Sequence, residues 1–236
     1  MGPQAYGADY LPEDEPLLTA RASADDLGGT EPVQPEVGAA LRFLACAAGA
    51  RTAVEIGTGC GTSGIWLLRG MRPGSTLTSV DIEPEYQRMA RKAFTQAGFA
   101  QNQARLILGR ALEVLPRLSD GAYDLVFCDA NPQDYADYLT EALRLLRTGG
   151  IVVFNNALLA GVPDDDAEGG LDSVAPFGSA RAGGDSFEDL NGAGGSGDAE
   201  PEGGLDLAAQ VRADSRLVPV LLPLGDGLLA AVKRGD

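Results

Sequence analysis

The chain has no histidine, only three cysteines, and 18 lysines and arginines against 34 aspartates and glutamates. Each shortage excludes something. Without histidine there is no Ser-His-Asp or Cys-His relay and no imidazole-ligated metal. Cys46, Cys60 and Cys128 are odd in number and share no Cys-x-x-Cys spacing. That argues against a disulfide framework or a zinc site and reads as small apolar residues in a reducing compartment. A net charge of −16 repels phosphate backbones and anionic lipid, so neither nucleic acid nor a membrane is expected as a partner. No stretch approaches the ~18 apolar residues of a spanning helix. The opening MGPQAYGADYLPEDEP has neither a basic region nor an apolar core, so no secretory leader is read there and the expected location is the cytoplasm.

What remains is a chain long enough for one α/β domain with a true core. Residues 1–32 are rich in Pro, Gly, Asp and Glu and predict a mostly flexible acidic arm, with room for one short helix. Val37, Leu41, Leu44 and Ala48 then follow helical spacing. Apolar strands and amphipathic helices alternate from there. AVEI, STLTSVD, ARLIL, YDLVFCDA and IVVF read as strands. Between them lie a glycine loop with its helix, a helix opened by Pro84, the short ALEVLPRL segment, and a helix striped by Tyr135, Tyr138, Leu139, Ala142, Leu145 and Leu146 that is expected to end at Gly149-Gly150. Such alternation predicts a parallel, doubly wound sheet. Residues 161–206 are acidic and glycine-rich and predict a disordered insertion within a domain spanning 33–236. Two apolar runs joined through Gly225-Asp226-Gly227 predict a closing antiparallel hairpin.

The chemistry is signalled by AVEIGTGCGTSGIW, residues 53–66: a strand, a glycine turn, then a helix start. Asp81 ends the next strand, where a carboxylate can accept both hydroxyls of a ribose. Gly59-x-Gly61-x-x-Gly64 formally matches the dinucleotide fingerprint. Glu55, inside the strand just before the loop, points elsewhere. A carboxylate there suits an ammonium or sulfonium better than a pyrophosphate. S-adenosylmethionine carries both cations and no phosphate.

These segments, with LTSVDIEPE, YDLVFCDANPQDY, ALRLLRTGGIVVFNNALLAG and DSRLVPVLLPLGDGLLAAVK, resemble the S-adenosylmethionine-dependent O-methyltransferases that include the catechol and caffeoyl-CoA enzymes, most closely their bacterial members. The resemblance covers residues 33–160 and 205–234. It implies a Rossmann-like class I methyltransferase fold, with seven mostly parallel strands and the last antiparallel. It implies cofactor contacts at Val33, Glu55, Gly57, Thr58, Ser63, Asp81, Ile82, Ala111 and Asn131, and acceptor contacts at Asp129 and Tyr138. By analogy it implies a homodimer, a small hydroxyl-bearing acceptor of phenolic, catechol or polyketide type, and a Mg²⁺ ion.

The metal is where this sequence departs from the family. Relatives hold it with two Asp and one Asn, beside a lysine base. Here the matching positions are Asp129, Asn155 and Asn156, and the lysine position is Pro132. One carboxylate attracts Mg²⁺ far less than two. Asp129 is then the expected residue to orient or deprotonate the acceptor, with Asp134 second. Arg110 also departs, standing where relatives carry an Asp near the adenine. Two other readings stay open: a cofactor-binding protein that has lost catalysis, and a nicotinamide oxidoreductase, which Glu55 disfavours.

Overall fold

The computed structural model describes residues 11–158 and 204–235. Its elements run α1 Glu15–Leu27, α2 Pro35–Ala47, β1 Thr52–Ile56, α3 Thr62–Gly70, β2 Thr76–Asp81, α4 Pro84–Gln96, β3 Ala104–Leu108, α5 Ala111–Val114, β4 Tyr123–Cys128, α6 Tyr135–Leu145, β5 Leu146–Phe154, α7 Gly204–Ala213, β6 Leu217–Leu222 and β7 Leu228–Lys233. Single 3₁₀ turns follow α5 and precede α6. The sheet has seven strands in the order β3-β2-β1-β4-β5-β7-β6. β1 to β5 pair in parallel, and β7 runs antiparallel to both β5 and β6. This is the doubly wound sheet that the alternating sequence predicts, closed by the expected hairpin.

Strand alternation sorts the core into two layers, one on each face of the sheet. Ala53, Leu77, Leu125, Phe127 and Val153 pack with Leu41, Ile65, Trp66 and Phe94 of α2, α3 and α4. Val54, Ile56, Val126, Val152 and Phe154 pack with Tyr135, Tyr138, Leu145 and Val211 of α6 and α7. Trp66 and Tyr135 are accordingly core residues, 2% and 1% exposed. Glu55 shares the phase of Ala53, so its carboxylate points into the first layer, where it is fully buried.

Two sequence expectations need correction. The opening segment is not simply an arm. α1 buries Leu17, Ala20 and Ala24 against the body, and Arg21 pairs with Glu13 at 2.7 Å while donating to the Val33 carbonyl at 2.8 Å. Its apolar stripe is mostly alanine, which makes it faint in sequence but well suited to close packing. The α6 helix stops at Leu145, not at Gly149-Gly150. Leu146 instead pairs with Tyr123, and its carbonyl accepts from Lys233 Nζ at 2.7 Å, so strand pairing outcompetes a further helical turn. The insertion expected at 161–206 lies mostly outside the described residues, and α7 begins at Gly204.

Among the described residues β6 is one of the sheet's two edge strands, β3 being the other. β6 exposes Val218, Val220 and Leu221 and carries Pro219 at its centre, in register with Ala231. No helix among the described residues is long and apolar enough to cross a membrane.

Helices α2 and α3 approach through two glycines. A Cβ at Gly38 would lie 2.3 Å from Trp66 Nε1, and one at Gly70 would lie 2.2 Å from the Arg42 carbonyl oxygen. Neither the buried indole nor the Arg42 backbone carbonyl can move aside cheaply. Gly38→Ala and Gly70→Ala are therefore expected to lower unfolding stability by ~1–3 kcal/mol each. Urea denaturation checks this, and an unchanged midpoint for both would contradict the packing.

Candidate active site

The parallel ladder runs one step past the strand ends. Gly109 N–H donates to the Asp81 carbonyl (2.9 Å), Gly57 to Val80 (2.9 Å), Asp129 to Ile56 (2.8 Å) and Asn155 to Cys128 (3.0 Å). These bonds make a ledge across β3, β2, β1, β4 and β5. They hold Asp81, Gly57, Asp129 and Asn155 in fixed register at the carboxyl ends of the strands, the place where doubly wound sheets bind ligands.

Gly57 opens the loop from β1 to α3 with φ +93°. A Cβ there would stand 2.0 Å from the Asp129 carbonyl oxygen, so only glycine lets the loop lie flat against the end of β4. Gly64, in the first turns of α3, allows Phe94 to close in, since a Cβ would meet that ring at 2.6 Å. Asp81 ties the loop down. Its Oδ2 accepts from the amides of Thr58 (2.8 Å) and Gly59 (2.9 Å), and its Oδ1 accepts from Glu83 (2.9 Å).

Two clefts flank this loop. The larger, about 490 Å³, has Asp81, Ile82, Ala111, Asn131 and Tyr138 on its walls. The smaller, about 250 Å³, has Val33, Thr58, Ser63 and Asn156 on its walls. Gly57 and Asp129 border both. All but two of the residues singled out from sequence therefore line a cleft. The exceptions, Glu55 and Asn155, sit behind the walls. Glu55 accepts from Ser63 Oγ at 2.7 Å and Ser79 Oγ at 2.5 Å, and Ser79 is linked to Thr58 Oγ1 at 2.7 Å. Asn155 Nδ2 donates to Asp129 Oδ1 at 3.0 Å, and its own Oδ1 is buried without a partner.

Burial dominates the electrostatics. It pushes the Glu55 carboxyl up to about 8, helped by the neighbouring charges of Asp129 and Asp81 and opposed by the Ser79 and Ser63 hydroxyls. Burial also raises Asp129 to about 6, with the Asn155 amide pulling it down. Asp134 is engaged differently: Tyr138 Oη donates to its Oδ2 at 3.3 Å, and Asn131 Nδ2 at 3.4 Å. Burial and the Asp134 carboxylate hold the Tyr138 phenol protonated.

The metal expectation fares poorly on donor chemistry. Asp129 and Asn155 do meet, but Asn155 presents an N–H, not its oxygen, to the one carboxylate. Among the described residues no three His, Cys, Asp or Glu side chains converge. As placed, this donor set does not fit a hard divalent cation.

Sequence reasoning missed the wall contributed by the opening segment. Gly29 and Thr30 border both clefts, and Tyr86 Oη fastens that segment by donating to the Gly28 carbonyl at 2.8 Å. The available signal was the spacing of Leu17, Ala20 and Ala24 followed by Gly28-Gly29.

A family model described as O-methyltransferase matches residues 17–234. A relative in Mycobacterium tuberculosis H37Rv, named a probable O-methyltransferase, is 44% identical over 229 residues, covering 97% of this chain and 89% of its own. Among solved structures, O-methyltransferase TomG from Streptomyces achromogenes, involved in tomaymycin synthesis and determined with S-adenosylmethionine, is similar at a TM-score of 0.76. It is 27% identical, over 98% of this chain and 96% of its own. A Corynebacterium glutamicum protein is similar at a TM-score of 0.76 and 28% identity, over 98% and 95%.

The raised carboxyls make stability depend on pH. Each binds a proton more tightly folded than unfolded, so its contribution is complete below its unfolded value and is lost as pH rises through its folded value. Asp129 is half titrated at about 6 and nearly all ionised by about pH 7, which leaves the interval from about 7 to 8 to Glu55. Unfolding free energy should fall across that interval by up to ~1.4 kcal/mol per pH unit. Glu55→Gln should remove that fall. Equal slopes in the two proteins would show that Glu55 ionises normally.

Proposed function

The chain belongs to the O-methyltransferase family, and from that premise we propose that it transfers the methyl group of S-adenosylmethionine to a hydroxyl of a small phenolic, catechol-like or polyketide-like acceptor, with Asp129 as the base. The observation that carries this reading is the position of Asp129, among the described residues the one carboxylate bordering both clefts.

The residues present fit the cofactor. Asp81, on the larger cleft, suits a ribose, and Ile82 and Ala111 offer apolar contact to an adenine. Gly57 leaves room where a side chain would collide with the ledge. Asp129 places negative charge where a sulfonium or ammonium gains from it. When bound, S-adenosylmethionine supplies a methyl group already activated on sulfur, so the protein has only to align the acceptor oxygen and take its proton. Asp129 Oδ1 is occupied by Asn155, which leaves Oδ2 to receive that proton. A carboxyl raised to about 6 is a stronger base than an ordinary one and is still mostly ionised at neutral pH. Asp134 is the poorer candidate because two donors already occupy its Oδ2.

Three measurements test the reading. Titration calorimetry should show S-adenosylmethionine binding in preference to NAD, and tighter NAD binding would overturn the assignment. Asp81→Ala should weaken cofactor binding by ~1–3 kcal/mol, the usual penalty for leaving polar partners unpaired. Turnover on a panel of catechols and other phenols should drop at least a hundredfold in Asp129→Asn and survive chelation of divalent cations. Silence across the panel would favour a binding protein without catalysis, and loss of turnover on chelation would restore the metal.

A further inference from the structure

The smaller cleft must hold the amino-acid end of S-adenosylmethionine if the reading above is right, and its walls pose an electrostatic problem. That end carries an ammonium and a carboxylate. Acids are plentiful here: Asp129 borders the cleft, Glu31 lines it, and Asp81 and Glu55 lie close behind the loop. Among the described residues no lysine or arginine lines it. The ligand's carboxylate therefore has to be met by neutral donors.

The suitable donors gather at the start of α3. The N–H groups of a helix's first turn have no intrahelical acceptor, so an anion is favoured at this end. Thr62, 3% exposed, lines the cleft, and its Oγ1 is buried without a hydrogen-bond partner. Ser63, 5% exposed, lines it too, but its hydroxyl faces Glu55 Oε1 at 2.7 Å. What Ser63 offers the cleft depends on which partner in that contact holds the proton. If Glu55 is ionised, both Ser63 and Ser79 must donate to it, and Ser63 turns only lone pairs outward. Those lone pairs would repel a carboxylate.

We propose that Glu55 acts as a neutral carboxylic acid that positions Ser63: a proton on Oε1 is donated to Ser63 Oγ, which frees the Ser63 O–H to bind the carboxylate of the cofactor's amino-acid end. Ser79 can keep donating to Oε2 at 2.5 Å and accepting from Thr58, so the rest of the buried chain is satisfied unchanged. Every charged group around Glu55 acts in the same direction. Asp81 from β2 and Asp129 just past β4 both disfavour its ionised form, the thiol of Cys128 on β4 and that of Cys60 in the loop are held protonated, and no cation among the described residues is a cause of its shift. Glu55 is thus a positioning residue and does not touch the ligand. The sequence rule that a carboxylate at this point attracts the cationic part of the cofactor is replaced by a different role: uncharged, it helps hold the anionic part.

The test is the pH profile of S-adenosylhomocysteine affinity in the wild-type protein, Glu55→Gln and Ser63→Ala. Glutamine keeps an uncharged donor and acceptor, so Glu55→Gln should bind within about threefold of wild type at pH 6.5. Above pH 8 wild-type affinity should fall about tenfold per pH unit relative to Glu55→Gln, and Ser63→Ala should lose this excess dependence. The ligand's own ammonium titrates equally in all three, so the difference isolates Glu55. Infrared difference spectra of the ligand-free wild-type protein should show a protonated carboxyl band at pH 6.5 that disappears by pH 9.5. Superimposable pH profiles, or a tenfold loss of affinity in a folded Glu55→Gln, would overturn the proposal, as would absence of the carboxyl band. No binding by wild-type protein at any pH would instead defeat the cofactor reading on which the proposal rests.

Discussion

The site depends on the backbone bonds that continue the parallel ladder beyond its strands. Each joins an amide just past one strand to a carbonyl at or near the end of its neighbour, so five strand ends form one rigid shelf. The glycine loop can lie on that shelf only because Gly57 has no side chain to strike the Asp129 carbonyl. Sheet register, loop shape and the position of Asp129 are thus a single constraint. A loop bearing any other residue at 57 would lift off, and both clefts would lose a shared wall.

An acidic chain without histidine can still place titratable groups near neutral pH. It buries carboxyls. Glu55 lies within β1 and Asp129 just past the end of the neighbouring β4, where loss of hydration raises both and the Asp129 charge raises Glu55 further. Their hydrogen-bond partners separate the roles. Glu55 faces hydroxyls that can reverse direction, and Asp129 faces an amide that can only donate through its nitrogen. The same functional group in two nearby places therefore meets different surroundings, reversible hydroxyls behind the loop and a fixed donor at the ledge.

Much of this was legible in the sequence because it is written at short range. The strand, loop and helix of residues 53–66, the acid ending β2 and the aromatic stripe of α6 each declare themselves within a dozen residues. What escaped is carried by weak or distant signals. The α1 stripe relies on alanines and resembles any polar segment. Leu146 continues the α6 period by sequence but belongs to β5, because pairing with Tyr123 is a tertiary gain. Glu55 stands out in the sequence, yet its surroundings depend on Ser79, from another strand, and no local pattern joins the two. Likewise Asn155 could be named beside Asp129, but only the folded ledge reveals that it offers a nitrogen.

At the far margin of the sheet, β6 leaves Val218, Val220 and Leu221 uncovered among the described residues. An apolar border strand of this kind is a template for intermolecular pairing, and proline is one of the devices that spoils the template, since it interrupts the row of donors. Pro219 stands in the middle of that row. Among the described residues, Pro219 then guards colloidal behaviour together with the mutual repulsion of a chain with net negative charge. High salt, which screens the repulsion, leaves Pro219 as the remaining barrier to aggregation during concentration or storage.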